Sequence, residues 1–202
     1  MREAAKTVVR WLALAAVLPA LLSFWIKALV LGRNRALEGS TQTLSLVPGI
    51  LGQYLRRAFL SRVLAGCDET AAVCFGTIFS QTAARIEAHV YIGARCFIGL
   101  AHVERGALIG SGVHITSGPH THGTTDPTRP IREQEGDRRL VTVGRDAWIG
   151  SASVIMADVG AHSIVGAGSV VTRPIPDNVV AAGVPARVIR SRDDELPRRS
   201  VV

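Results

Sequence analysis

From about residue 75 an aliphatic residue returns at every sixth position. Ile86, Ile92 and Ile98 are six apart, Val103 follows after five, and Ile109 and Ile115 continue in sixes. After a break the pattern resumes at Val143, Ile149 and Ile155, steps by four to Val159, and runs on in sixes through Val165 and Val171. Glycine often follows the aliphatic, as in Ile92-Gly93, Ile98-Gly99, Ile109-Gly110, Ile149-Gly150, Val159-Gly160 and Val165-Gly166. A period of six fits neither a helix nor an alternating strand. It fits a coil whose short straight sides each turn one aliphatic inward, with small residues easing the backbone round the corners. Stacked coils then bury the aliphatics in columns and pair their backbones with one another. Only 5% of the chain is aromatic although 48% is hydrophobic, so a core of Val, Ile, Leu and Ala is what the composition allows.

The break, residues 118–140, loses the period and carries Pro119, Pro127 and Pro130, which preclude a regular internal strand. A loop this long thrown out of a rigid repeat is expected to be functional. It holds His120 and His122, with Asp126, Glu133 and Glu135 as candidate carboxylates to orient an imidazole.

Ahead of the repeat, Trp11 to Ile26 carries no charge, and the apolar run resumes after Lys27 as far as Leu31. Arg2, Lys6, Arg10, Arg33 and Arg35 flank it, and Trp11 and Trp25 sit near its ends, where interfacial indoles belong. The length is marginal for a span, and Pro19 is expected to kink the helix. A membrane anchor, spanning or re-entrant, is the expectation; a buried core helix and a cleaved signal are the alternatives, although no clean small-x-small cleavage site follows. Ile50 to Leu64 is amphipathic at helical spacing. Ile50, Leu51, Tyr54, Leu55, Ala58 and Phe59 make its apolar face, and Arg56, Arg57 and Arg62 lie beside or opposite. Such a helix suits either an anionic membrane surface or a cap on the core.

The net charge of +7 favours an anionic partner. Of nucleic acid, an anionic membrane and an anionic substrate such as a nucleotide cofactor, nucleic acid is the least supported and is not expected, since there is neither zinc-finger spacing nor a basic stripe interleaved with aromatics. Cys67, Cys74 and Cys96 form no CxxC and read as reduced thiols.

Three stretches carry a family resemblance: His114-Ile-Thr-Ser-Gly-Pro-His120, Val143-Gly-Arg-Asp-Ala-Trp-Ile-Gly150, and Val165-Gly-Ala-Gly-Ser-Val-Val-Thr172 followed by Ala182-Gly-Val-Pro-Ala-Arg-Val-Ile-Arg190. Over residues 75–190 the chain resembles the hexapeptide-repeat acyltransferases, among them the maltose and galactoside O-acetyltransferases and their relatives in polysaccharide biosynthesis. The resemblance implies a left-handed parallel β-helix assembled as a homotrimer, with acetyl-CoA as acyl donor and the hydroxyl of a sugar or lipid-linked glycan as acceptor. It places the catalytic histidine at His120, with His122 as the alternative. A neutral imidazole there takes the hydroxyl proton as oxygen attacks the thioester. The coenzyme A positions fall on Trp148, Ser151, Ala167, Thr172, Arg173, Arg187 and Arg190. Ser151 and Ala167 would admit the pantetheine arm, Trp148 would wall the acyl site, and the arginines suit phosphates.

The domain reading is therefore an apolar helix over 1–35, a linker and amphipathic helix over 36–72, a β-helix over 73–190 with the 118–140 loop inserted, and a charged tail over 191–202. The expected location is the cytoplasmic face of the inner membrane, where acetyl-CoA is available. Two other functions compete. One is a zinc enzyme of carbonic anhydrase type, drawing on His89, His102, His114, His120, His122 and His162, although none of the pairs has the five-residue spacing of that family. The other is a non-catalytic scaffold. No metal is expected.

Overall fold

The computed structural model describes residues 2–195, with side chains over residues 7–194. The chain forms a parallel β-solenoid on three helices. Each coil has three straight sides. The first side stacks Gly66–Cys67, Arg85–Ile86, Ala101–Val103 and Val141–Val143. Single bridges at Val159 and Ile175 continue it. The second side stacks Ala72–Val73, Tyr91–Ile92, Leu108–Ile109, Trp148–Ile149, Ile164–Val165 and Val179–Gly183. The third stacks Ile78–Phe79, Phe97–Ile98, His114–Ile115, Val154–Ile155 and Val170–Val171. Every pairing between coils is parallel, and the first coil starts at Gly66, before the hexad is legible.

The sixth-position aliphatics are the three columns of the core. Ile86, Val103, Val143, Val159 and Ile175 fill the first; Val73, Ile92, Ile109, Ile149, Val165 and Ala181 the second; Phe79, Ile98, Ile115, Ile155 and Val171 the third. Each buried Val or Ile contributes about 1.5–3 kcal/mol, so the columns supply the main stabilisation.

The small residues do two jobs, and the sequence suggests only one of them. The glycine after each aliphatic is not the corner residue. It lies where the next coil's backbone comes closest: a Cβ on Gly110 would stand 2.6 Å from the Ser151 nitrogen, and one on Gly150 2.4 Å from the Ala167 nitrogen. The left-handed turn comes two residues later, at His89, Asp146, His162 and Asn178 on the first-to-second corner and at Arg95 and Ala152 on the second-to-third. Asn, Asp and His tolerate that conformation better than most residues. Two of the six histidines, His89 and His162, are thus explained by backbone geometry.

Inside a coil the spacing is always six. All irregular steps fall at the third-to-first corner: Phe79 to Ile86, Ile98 to Val103, Ile155 to Val159 and Val171 to Ile175. The 118–140 loop leaves at this same corner, between Ile115 and Val141. It is the one corner without a stacked turn of fixed length, so an insertion there disturbs neither ladder.

The N-terminal helices are α1 (Arg2–Leu31), α2 (Arg33–Ser45) and α3 (Gly49–Val63). α2 and α3 pack on the first coil, and α1 packs across both. Leu37, Phe59, Leu60 and Val63 close the open end of the core. Residues 33–45, part of which the sequence suggests as linker, are helical. α1 runs as one helix with Pro19 inside it rather than as two re-entrant halves. It buries a narrow seam of Ala13, Val17, Leu21 and Phe24, while Leu12, Leu18, Leu22, Ile26, Leu29 and Val30 are exposed. Lys27, which interrupts the apolar run, donates to the Ser40 hydroxyl at 3.2 Å.

The amphipathic face expected for α3 is corrected. Gly52, Arg56, Phe59, Leu60 and Val63 face inward, and Ile50 and Leu51 are exposed. Arg56 is drawn inside by three carbonyls: its Nε donates to Val73 O at 2.9 Å, and its Nη1 to Leu44 O at 3.2 Å and Val47 O at 2.7 Å. The end of a helix leaves such acceptors without partners, and a guanidinium has donors enough for all three.

Beyond the last full coil, Val179–Gly183 pairs antiparallel with Ala186–Ser191. Asn178 Nδ2 donates to Asp193 at 2.7 Å, so the start of the charged tail docks on the solenoid. Residues 196–202 of that tail lie outside the described residues.

The two kinds of corner residue give opposite outcomes on substitution. Gly150→Ala meets the next coil and should destabilise by about 2 kcal/mol or more. Ala152→Gly relieves a left-handed alanine and should be neutral or stabilising by up to about 1 kcal/mol. Thermal melting followed by circular dichroism checks both, and equal losses for the two would reject the assignment.

Candidate active site

The second-to-third corner presents a column of small residues. Ser151 and Ala167 stand one above the other there, with Ser111 and Ala94 below. Gly168 N donates to Ser151 O at 2.8 Å, and Ala152 N to Ser111 O at 2.9 Å, which sets the stack. Ser111, Ser151 and Ala167 are exposed, so a narrow chain can lie along the corner against backbone.

Trp148 lies on the outer face of the second side and is 49% exposed. It belongs to a ladder, Tyr91–Leu108–Trp148–Ile164–Val180, set by strand register. Val180 pairs in turn with Arg190, and Ala182 pairs with Arg187. The register slips between Val180 and Ala181. That bulge puts Arg187 and Arg190, three apart in sequence, opposite Ala182 and Val180, which are two apart and share the outward face. Arg187 Nη1 donates to Ala186 O at 2.9 Å, and Arg190 Nη1 to Ser191 O at 3.3 Å. The structure therefore brings Trp148, Arg187 and Arg190 to one face, beside the Ser151–Ala167 corner. Thr172 and Arg173 are exposed at the following corner, one coil side away.

The 118–140 loop folds back on itself. Arg139 N donates to Ser117 O at 2.9 Å, Asp137 N to His120 O at 2.7 Å and Gly123 N to Gln134 O at 3.4 Å. Gln134 ties the tip: its side chain accepts from Asp126 N at 3.1 Å and donates to Asp126 O and Arg129 O at 2.8 and 2.9 Å. His120 pairs with Asp137 across the fold and is exposed. His122 lies in a shallow cleft with Thr121, Arg132, Glu135 and Arg138.

Of the three carboxylates proposed to orient an imidazole, Asp126 is engaged by its own turn. It accepts from the Thr128 hydroxyl at 2.6 Å and from Thr128 N at 2.9 Å, and these bonds hold its pKa below the usual carboxylate value. Glu133 faces Arg132 at 3.5 Å. Glu135 shares the cleft of His122. Asp137, which sequence reasoning missed, is the acid opposite His120, and its carboxylate accepts from Arg139 Nε at 2.8 Å. Its signal is visible only once the loop pairs with itself.

The remaining histidines have local duties. His102 Nε2 lies 2.8 Å from Glu87, which holds that carboxyl below its usual value. His114 faces the Phe97 ring on the third side, centroids 6.1 Å apart. Among the described residues no group of three or more His, Cys, Asp or Glu is placed to hold a metal. The three cysteines are free, and burial pushes the Cys67 thiol up to about 12.

Comparison with known proteins places these features in context. A family model described as the hexapeptide repeat of succinyl-transferase matches residues 84–117 and 140–173, the blocks on either side of the loop. Galactoside O-acetyltransferase of Escherichia coli (strain K12) is 57% identical over 56 residues, 27% of this chain and 28% of that protein. A putative lipopolysaccharide biosynthesis O-acetyl transferase of the same organism is 31% identical over 129 residues, 59% of this chain and 63% of that protein. The chain thus matches between 28% and 63% of the length of these relatives. Among solved structures, a galactoside acetyltransferase in complex with coenzyme A superposes with a TM-score of 0.59 at 27% identity, covering 85% of each chain. A hexapeptide-repeat acetyltransferase from Vibrio cholerae O1 biovar eltor, complexed with acetyl coenzyme A, shares the fold. Its TM-score is 0.61 at 24% identity, over 81% of this chain and 91% of that one.

If the bulge-aligned arginines receive an anionic ligand, Arg187→Ala/Arg190→Ala should weaken coenzyme A binding by about 30- to 1,000-fold, at about 1–2 kcal/mol for each of two charge-assisted contacts. Calorimetric titration measures it; unchanged affinity would remove both residues from the site.

Proposed function

We propose that this chain, a member of the hexapeptide-repeat family, is an acetyl-CoA-dependent O-acyltransferase acting on the hydroxyl of a sugar or polysaccharide intermediate. The observation that carries the reading is the small-residue corner at Ser151 and Ala167, bordered by outward Arg187 and Arg190 and by Trp148. A thin, flexible arm ending in phosphates fits that pattern: backbone contact along the corner, guanidinium contact at its end.

His120 acts as the general base. Its neutral imidazole accepts the proton of the acceptor hydroxyl while that oxygen forms its bond to the thioester carbonyl carbon. As the carbon–sulfur bond breaks, the imidazolium returns the proton to the departing thiolate, so the enzyme ends as it began. Backbone N–H groups along the corner are the donors suited to the oxyanion. The sharing of a cleft by His122 and Glu135 favours a second assignment, with His122 as base. A zinc enzyme would need a histidine cluster, and the histidines here are dispersed over corners, sides and loop.

The loop and the small-residue column lie at different corners of the coil. One coil side, roughly 15–20 Å at about 3.3 Å per residue, separates them in a single chain. A homotrimer in which the loop of one subunit reaches the small-residue corner of its neighbour closes that gap, and exposed Tyr91, Leu108 and Trp148 on the second side supply an apolar contact face. α1 turns its exposed apolar surface away from the solenoid, which supports attachment in the plane of the membrane at its cytoplasmic face, close to a lipid-linked acceptor.

His120→Ala should lower turnover by about 10²–10⁴ while coenzyme A still binds. Thiol release from acetyl-CoA against a glycan panel measures it. Near-normal turnover in His120→Ala with a dead His122→Ala transfers the role to His122. Light scattering in mild detergent should give three subunits. Co-assembly of His120→Ala with Arg187→Ala/Arg190→Ala should restore part of the activity, because some sites then draw intact parts from two chains. A fully active monomer would reject the shared site.

A further inference from the structure

The groove between α1 and α3 has no part in the acyl-transfer reading. It is a cleft of about 230 Å³, lined by Arg10, Trp11, Tyr54, Arg57, Arg62 and Glu69 among others. Three arginines against one carboxylate leave the lining two charges positive. The groups are held, not loose. Arg57 lies over the Tyr54 ring at 4.5 Å and donates to Ala71 O at 3.4 Å. Arg10 Nη1 donates to Glu69 at 2.9 Å, while its Nε is buried with no hydrogen-bond partner. Fixed guanidinium groups in a cleft of net positive lining suit an anion, because little side-chain freedom is lost on binding it.

The position of the cleft names the ligand. Trp11 lines it and is 67% exposed, at the start of the apolar outer surface that continues through Leu12, Leu18, Leu22 and Ile26. That surface carries no charge as far as Ile26. With α1 lying in the membrane plane, the cleft sits at the edge of the apolar face, at the depth where indoles and phosphates meet. A soluble anion would need only the arginines; a lipid uses both the arginines and the apolar face beside them.

We propose that the α1–α3 groove binds the phosphate of a membrane-lipid head group. Arg10 and Arg57 contact the phosphate oxygens, and the lipid chains lie along α1. This rests on the reading of α1 as membrane-facing, and it makes attachment selective for lipids with an accessible phosphate rather than merely apolar.

The test is co-flotation of full-length protein with vesicles of phosphatidylcholine alone and of phosphatidylcholine with phosphatidic acid. Wild type should bind both and prefer the second. Arg10→Gln/Arg57→Gln should lose the preference, about tenfold, and keep wild-type binding to phosphatidylcholine. Arg10→Lys/Arg57→Lys should recover most of it. Arg85→Gln/Arg105→Gln, which removes the same charge from exposed solenoid positions, should change it by less than about twofold. Matched melting curves and the phosphatidylcholine arm guard against misfolding, and Arg57→Gln alone provides a milder second variant. An equal loss in the solenoid control means general charge attraction and overturns the proposal. So does an unchanged preference in the groove variant. Wild type that binds inorganic phosphate in solution but shows no vesicle preference makes the groove a free-anion site, and the lipid assignment falls. Wild type that floats with neither vesicle sinks the membrane reading of α1, and this proposal with it.

Discussion

The close stacking of one coil on the next controls everything else in this molecule. Parallel backbone ladders hold neighbouring strands about 4.8 Å apart. At that spacing the glycines after the inward aliphatics touch the backbone of the coil above, as Gly110 touches Ser151 and Gly150 touches Ala167. A Cβ at those two glycines would force the neighbouring coil to shift. The same closeness keeps the outside of the corner lined by small, exposed residues, and that column is the candidate binding surface. Stability and site have one geometric cause.

A solenoid has two open ends, and each is a liability because it exposes unpaired strand edges and core. Here the first end is closed by α2 and α3, which add Leu37, Phe59 and Leu60 to the core columns. Arg56 welds this cap to the first coil by serving carbonyls from both. The far end is closed by the antiparallel turn-back of Ala186–Ser191. The strand that closes the solenoid is also the one that carries the two arginines of the candidate site. A single bulge decides that they point the same way.

α1 follows a different rule. Its buried seam is narrow, and the rest of its surface is apolar and exposed. A helix hydrophobic on both its buried and exposed sides requires a second apolar environment. Within one chain this surface stays uncovered, because α2 and α3 already occupy the end of the solenoid. The membrane supplies the missing partner in the reading developed above, and the arginine cleft beside Trp11 lies where such a surface would meet lipid head groups.

The hexad was legible because it is local: six residues per side, one inward aliphatic each, is a rule that the chain writes along itself. The coil, its core columns, the inserted loop and the apolar first helix all follow from patterns within a few residues. The sequence could not show which small residue turns the corner and which merely lets the next coil approach, because the second depends on a neighbour sixteen or more residues away. It misread Arg56 as a surface charge, since the three carbonyls that bury it come from α2, the turn after it and the first coil. It gave no sign of Asp137 opposite His120, which needs the loop to fold back, or of the slip that aligns Arg187 with Arg190. Periodicity by itself determined the coil and its core columns. Only tertiary structure decided which polar groups meet, because hydrogen-bonding partners are chosen by proximity in space, and the stacking of coils brings together residues that sequence keeps apart.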